Sequence, residues 1–107
     1  MAYELGNEPN FFPGSFRPED YSAKDYGQEM RQWIPRISEE LSSRANFMLG
    51  SFAGPPTFFS DDMKLNTLVK MGVPQTIPEI KYYSTHGYPY DICSGMPFPW
   101  RHIVVKI

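Results

Sequence analysis

The sequence has few of the features that mark secreted or membrane proteins. It contains one cysteine, Cys93, so no disulfide can form within the chain, and a reducing compartment is expected. It has no run of 18 apolar residues, which argues against a membrane-spanning helix. The N-terminus lacks the basic and apolar regions of a secretory signal, and Glu4 and Glu8 argue against a transit peptide. We therefore expect an intracellular chain, in the cytoplasm, a cilium or the interior of an organelle.

The chain also lacks a strong net charge and a phosphate-binding loop. Ten basic and 12 acidic residues give a formal charge of −2, which excludes a strongly basic nucleic-acid binder and a polybasic membrane-surface segment. The glycine-containing stretch GSFAGPPTFF lacks the lysine and hydroxyl of the nucleotide-binding signature. A small-molecule ligand or cofactor is therefore not expected.

Aromatic residues and prolines are abundant and are spread along most of the chain. There are eight phenylalanines, seven tyrosines, two tryptophans and 11 prolines among 107 residues. Prolines at this density oppose long helices, whereas disordered segments normally contain few aromatics. We therefore expect arms that insert aromatic side chains into neighbouring proteins. The sequence divides into an extended N-terminal arm (1–22), a helical core (23–72) and an irregular C-terminal arm (73–107).

The helical core is predicted from the spacing of its apolar residues. A main helix is expected over about 23–49, kinked at Pro35 and stopped by Gly50. Its apolar positions recur at steps of three and four: Met30, Trp33, Ile34, Ile37, Leu41, Ala45, Met48 and Leu49.

Beyond the main helix, the sequence predicts two shorter elements. Residues 61–71 form a short second helix, with Ser60 as its N-cap and Gly72 just beyond its end. The β-branched residues of 102–107 suggest a possible short C-terminal strand, which pairs either with residues 80–83 or with the sheet edge of a partner. The predicted fold class is mainly α with extensive irregular arms rich in proline and aromatic residues.

The residues capable of chemistry do not form a recognised motif. His86, Cys93 and His102 are possible metal ligands, but their gaps of seven and nine residues match no closed zinc spacing. Ser84 or Ser94 could be paired with His86, yet neither serine lies in a nucleophile-elbow motif. We therefore predict no catalytic, cofactor-binding or metal-binding residue.

One stretch resembles part of a known family of DNA-binding proteins. Residues 68–88, LVKMGVPQTIPEIKYYSTHGY, contain a glycine-valine turn at Gly72, then lysine-tyrosine-tyrosine at 81–83 and a glycine at Gly87. This order resembles the MerR-type regulators, in which such a turn leads into a recognition helix. The resemblance implies a helix that contacts DNA, although the segment is several residues longer and Pro78 would lie inside that helix.

These observations favour a non-catalytic accessory subunit of a large protein assembly, of the kind found in respiratory complexes or axonemal microtubules. One alternative is a small auxiliary subunit of a multi-subunit enzyme, and a second is a small DNA- or peptide-binding domain. Aromatic side chains commonly anchor protein interfaces. The predicted partner-binding residues are Phe11, Phe12, Phe16, Trp33, Phe58, Phe59, Tyr82, Tyr83, Tyr88, Tyr90, Phe98 and Trp100.

Overall fold

The described part of the chain folds into an α/β arrangement of four strands and two α-helices. The structure is a computed structural model, and it describes residues 2–41, 45–52, 64–87 and 101–106. Short 3₁₀ helices lie at Pro9–Phe11 and Pro74–Thr76. In chain order, the main elements are β1 (Ala2–Glu4), α1 (Ala23–Glu40), β2 (Asn46–Phe52), α2 (Leu65–Lys70), β3 (Ile80–Gly87) and β4 (Arg101–Lys106).

The four strands form one sheet in the order β1-β2-β3-β4. Strands β1, β2 and β3 run parallel, with Tyr3 opposite Phe47 and Leu49 opposite Tyr83, whereas β4 runs antiparallel to β3. Parallel neighbours require crossover connections, and α1 and α2 supply them. Strands from all three sequence segments, 1–22, 23–72 and 73–107, join this sheet.

Both helices contribute to one hydrophobic core. In a parallel sheet whose strands follow chain order, right-handed crossovers place successive helices on the same face, and α1 and α2 do contact each other. Arg31 Nε on α1 also donates to Thr76 Oγ1, at 2.9 Å. The buried apolar residues of this core are Tyr21, Ala23, Tyr26, Met30, Ile34, Phe47, Leu49, Phe52, Leu68, Val73, Ile77 and Ile80.

Helix α1 begins where a reciprocal cap satisfies free amide groups. Ser22 Oγ accepts from the Asp25 amide, and Asp25 Oδ2 accepts from the Ser22 amide at 2.9 Å. These are the two halves of a capping box. The hydrogen bonds from the Ser22 hydroxyl and amide lower the pKa of Asp25. The predicted start of the main helix near residue 23 is confirmed.

Helix α1 passes through Pro35 and ends nine residues earlier than predicted. Proline removes one amide donor from the helix, yet residues on both sides of Pro35 stay helical to Glu40. Residues 46–49, predicted as the last turn of the helix, are instead the start of β2. Buried Phe47 and Leu49 flank the half-buried Met48, which is the alternation of a strand.

Gly50 was predicted to stop the helix, but it lies inside β2. Its φ of 127° is one that side-chain-bearing residues rarely adopt. A Cβ atom at this position would overlap the backbone carbonyl oxygen of Ser84 on β3. Glycine is therefore required here by the close approach of two strands, and not by a helix end.

The second helix is shorter than the predicted 61–71. Helix α2 runs from Leu65 to Lys70, and the chain leaves it through Gly72 at a φ of 72°. The amides of Gly72 and Val73 donate to carbonyls of the last turn, so the predicted glycine stop is confirmed. The predicted N-cap, Ser60, lies outside the described residues.

The predicted mainly α fold is therefore wrong, because a four-stranded sheet organises the chain. The possible C-terminal strand is present as β4, and of the two predicted pairings it makes the one within the chain, with β3. Strand β1 was not predicted, since three residues are too few to show an alternating pattern.

The helix implied by the MerR resemblance is not formed. The segment after the turn at Gly72 forms only a short 3₁₀ helix at Pro74–Thr76, and the lysine-tyrosine-tyrosine run at which the implied helix would end lies in strand β3. Among the described residues, no helix combines the length and apolar character needed to cross a membrane.

Candidate functional site

The segment between β1 and α1 folds over one side of α1 and presents aromatic side chains. After the 3₁₀ helix, the Arg17 amide donates to the Phe12 carbonyl and the Gly14 amide donates to the Arg17 carbonyl, both at 3.0 Å. These bonds close a tight turn with Phe16 near its tip. The rings of Phe12 and Phe16 meet edge to face, with centroids 5.9 Å apart.

A charged pair attaches this turn to α1. Arg17 Nε donates to Glu29 Oε1 at 2.9 Å, and a second Arg17 nitrogen donates to Glu29 Oε2 at 3.1 Å. Tyr21 donates its hydroxyl hydrogen to the same Oε2, also at 3.1 Å. The guanidinium lies 5.9 Å from the Phe12 ring centroid and 5.8 Å from that of Tyr21. A bidentate arginine fixes orientation as well as distance, so the turn is held in one position.

The same contacts shift the ionisation of their members. The hydrogen bond to Glu29 and the charge of Glu29 raise the pKa of Arg17. Burial, followed by the charge of Glu29, raises the pKa of Tyr21. Both groups keep their protons at neutral pH, so Arg17 stays cationic and Tyr21 stays a donor.

An apolar groove of about 640 Å³ lies between this turn and α1. We call it the aromatic groove. One wall comes from the residues after β1 and the other from α1, and the Arg17–Glu29 pair lies at their junction. The groove is lined by Leu5, Gly6, Asn7, Phe12, Phe16, Arg17, Glu29, Met30, Trp33 and Ile37.

Two aromatic side chains of the groove remain largely exposed. Phe16 is 77% exposed and Trp33 is 47% exposed, although each ring carries a large apolar area. The Arg36 guanidinium lies 5.9 Å from the centroid of the Trp33 ring, on the solvent side of α1. The groove thus combines a fixed scaffold with uncovered aromatic surface, which is typical of binding sites.

The structure brings together three of the predicted partner-binding residues, Phe12, Phe16 and Trp33, in this groove. Phe11 is exposed nearby in the chain, but it is not part of the lining. Tyr82 and Tyr83 are half-buried on β3, and Tyr83 packs against the core. The other predicted residues lie outside the described part of the chain: Phe58, Phe59, Tyr88, Tyr90, Phe98 and Trp100.

Sequence reasoning missed the residues that shape the groove. Arg17 and Glu29 are 12 residues apart and join only because the chain reverses between them. Leu5 reaches the groove because it follows β1, which was itself not predicted. The one available signal was on α1, where Met30, Trp33 and Ile37 share the helical spacing that the sequence analysis identified.

Three of the residues considered for catalysis or metal binding, Ser84, His86 and His102, lie on the sheet. Ser84 is buried, and its hydroxyl donates to Glu4 Oε1 at 2.5 Å. His86 on β3 stands opposite His102 on β4 in the antiparallel register. Cys93 and Ser94 lie outside the described residues. In the part of the chain that the structure describes, no three metal-ligating side chains of the His, Cys, Asp and Glu types cluster together.

Comparisons with protein-family models, with curated proteins and with solved structures gave no match to this chain.

Proposed function

We propose that this chain is a non-catalytic accessory subunit that binds a neighbouring protein through the aromatic groove. The observation that carries the proposal is the exposure of Phe16 and Trp33 on the two sides of an apolar groove of about 640 Å³. Aromatic anchors dominate binding energy at protein interfaces because they bury a large area and have few rotatable bonds.

The rigidity of the groove supports a binding role. The bidentate contact between Arg17 and Glu29 and the hydroxyl of Tyr21 hold the turn against α1. The Phe12 ring supports Phe16 edge to face. A preformed surface loses little conformational entropy on association, so more of the contact energy appears as affinity.

The charges of the groove support its shape. Among the described residues that line it, Glu29 is the one carboxylate, and it accepts two hydrogen bonds from Arg17 and one from Tyr21. These three bonds give Glu29 a structural role, because they fix the position of the turn against α1.

The test is capture of partners by the purified 107-residue chain from extracts of its source, with identification by mass spectrometry. Wild-type chain is compared with Trp33→Ala, Phe16→Ala and the control Glu40→Ala. Glu40 is exposed at the end of α1 and does not line the groove. Far-ultraviolet circular dichroism checks that all four proteins are folded.

We expect specific partners to be captured by wild type and by Glu40→Ala, and to be lost or strongly reduced with both groove variants. Equal capture by all four folded proteins would contradict a role for the groove. If the captured partners include the catalytic chain of an enzyme, the alternative of an auxiliary enzyme subunit is selected.

A further inference from the structure

The aromatic groove has an exposed ring and an apolar hollow on the same surface. Phe16 is 77% exposed near the tip of its turn, and Trp33 is 47% exposed on α1. Both side chains line the same groove of about 640 Å³. A surface that contains both a projecting ring and a hollow is complementary to a second copy of itself, because a two-fold rotation brings each ring to the hollow of the other copy.

We propose that the chain forms a two-fold symmetric homodimer, in which Phe16 of each copy enters the aromatic groove of the other and packs on Trp33 of that copy. The homodimer rests on the proposed role of the groove in protein binding, with a second copy of this chain as the occupant. Both contacts form at once in such a symmetric interface, so association stops at two copies.

The ring of Phe16 is held in place before association. The bidentate contact between Arg17 and Glu29 fixes the turn against α1. The Phe12 ring supports Phe16 edge to face, with centroids 5.9 Å apart. A ring that is already positioned loses little conformational entropy when it enters the groove of another copy.

Opposite charges lie beside the two rings and favour a second copy as the occupant. Glu19 is exposed on the turn of Phe16, with its Cγ 3.7 Å from the position that a Cβ atom would take at Gly14. Arg36 is exposed on α1, and its guanidinium lies 5.9 Å from the centroid of the Trp33 ring. Among the described residues, neither Glu19 nor Arg36 forms an ion pair. Packing of Phe16 on Trp33 of the other copy brings these opposite charges together, and the symmetry forms the pair twice.

The exposed aromatic area predicts a weak and reversible dimer. A large aromatic side chain buries 150–250 Å² when it is covered, so the exposed parts of the two Phe16 and two Trp33 side chains amount to roughly 400–600 Å². Stable interfaces bury about 1,200–2,000 Å² in total, so the rest of the groove has to supply more than half of that area. We therefore expect a Kd in the micromolar range. A dimer of this affinity dissociates readily and leaves the groove open to other proteins.

The test is sedimentation equilibrium of the purified 107-residue chain, at concentrations from the micromolar to the millimolar range. Phe16→Ala and Trp33→Ala remove the two aromatic anchors. Glu19→Arg and Arg36→Glu each reverse one charge, and a double variant with both changes restores an opposite pair. Lys70→Glu is the matched control, because it changes the net charge as Arg36→Glu does, but Lys70 is exposed on α2 and does not line the groove. Circular dichroism checks that every variant is folded.

We expect wild type and Lys70→Glu to show the same monomer–dimer equilibrium. Each aromatic substitution should raise Kd at least about tenfold, because it removes an anchor from both halves of the interface. Each single charge reversal should raise Kd at least about threefold, since like charges then face each other twice. The double variant should recover most of that loss, because its two changes compensate each other across the interface.

Three results would overturn the homodimer. Wild type could stay monomeric at the highest concentration. Both aromatic variants could keep the wild-type Kd, which would place the dimer contact away from the groove. The double variant could associate no better than the single charge reversals, which would remove the pairing of Glu19 with Arg36.

Partner capture from extracts distinguishes failure of the homodimer from failure of the proposed function. If wild type is monomeric while Phe16→Ala and Trp33→Ala lose captured proteins, the groove binds a different protein and the homodimer is wrong. If the dimer forms through the groove and extracts yield no other partner, the accessory role is wrong and the homodimer stands.

Discussion

The buried aromatic residues of this chain and the exposed ones differ in how much of the structure surrounds them. Phe47 lies on β2 between β1 and β3, with the Tyr3 ring 5.9 Å away, and is fully buried. Tyr26 on α1 meets Phe52 edge to face at 6.1 Å. In contrast, Phe16 and Trp33 each have one protein surface beside them and solvent on the other side.

This contrast separates two uses of the same residue types. Aromatics that lie between the sheet and α1 stabilise the fold, since their area is removed from water within the chain. The aromatic side chains of the groove withdraw little apolar area from water until a partner covers them. Substitutions in the two groups should therefore affect different measurements: stability for the first group and partner binding for the second.

The largest expected effect is that of Phe47→Ala. Removing a buried phenylalanine typically lowers the free energy of unfolding by about 3–5 kcal/mol, through lost transfer energy and the cavity left behind. A domain of this size has only about 5–15 kcal/mol of stability in total. Urea denaturation measures the loss, with Phe11→Ala as the matched control because Phe11 is 47% exposed. A change below about 1 kcal/mol for Phe47→Ala would show that the core is not where the structure places it.

The next largest effect is expected for Gly50→Ala. The new Cβ would overlap the Ser84 carbonyl oxygen, and a φ of 127° is strained for alanine. We expect a loss of at least about 2 kcal/mol in the free energy of unfolding. Gly72→Ala is the comparison, since its φ of 72° is also positive but nothing lies within 4 Å of the added Cβ. Gly72→Ala should lower the free energy of unfolding by about 1 kcal/mol. Equal losses in the two variants would show that the close approach of β2 and β3 does not add to the cost of Gly50→Ala.

Local sequence patterns predict the start of α1 but not its end. Ser22 and the steps from Tyr26 to Met30 and Ile34 identify α1, because a cap and a helical period are local signals. The end of the helix was misplaced because Met48 and Leu49 continue that period by coincidence. Nothing in the local sequence shows that residue 46 begins a strand, since that outcome depends on pairing with β1 and β3.

The candidate site was predictable in its residue types and not in its arrangement. Composition alone pointed to Phe12, Phe16 and Trp33 as surface anchors. Their assembly into one groove depends on the contact between Arg17 and Glu29, which forms only in the folded chain. Long-range pairs of this kind follow from topology, so a single sequence does not reveal them.

A moderate effect is expected from alkaline pH, through the buried phenol of Tyr26. Burial raises the pKa of Tyr26 above its ordinary value. In the unfolded chain the phenol ionises near pH 10, while the folded chain still holds its proton. The unfolded state therefore binds fewer protons in that range, and stability falls as the pH rises from about 10 towards the raised pKa.

Urea denaturation of wild type and Tyr26→Phe between pH 7 and 11 measures this effect. The difference in unfolding free energy between the two proteins should be constant below about pH 9 and should shift in favour of Tyr26→Phe above about pH 10. Tyr21 titrates in the same direction, because burial and the charge of Glu29 raise its pKa. Some alkaline loss should therefore remain in the variant. A pH-independent difference would mean that the Tyr26 phenol is not protected in the folded state.

A smaller effect is expected from the cap of α1. Ser22→Ala removes the oxygen that accepts from the Asp25 amide and should lower the free energy of unfolding by about 1 kcal/mol. Ser38→Ala makes the same chemical change inside the helix, where alanine is favoured, and should be neutral or slightly stabilising. Thermal denaturation of the two variants compares the positions directly. Similar losses would show that the hydroxyl of Ser22 is not acting as a cap.

The smallest effect on stability is expected for Phe16→Ala, and it tests the contrast most sharply. At 77% exposure the ring removes little area from water, so the free energy of unfolding should change by no more than about 0.5 kcal/mol. The same substitution should abolish partner capture if the ring is an interface anchor. A stability loss comparable to that of Phe47→Ala, measured by urea denaturation, would place Phe16 among the structural aromatics. Unchanged stability together with unchanged capture would show that the Phe16 ring contributes neither to the fold nor to partner binding. The binding surface would then have to lie away from the aromatic groove.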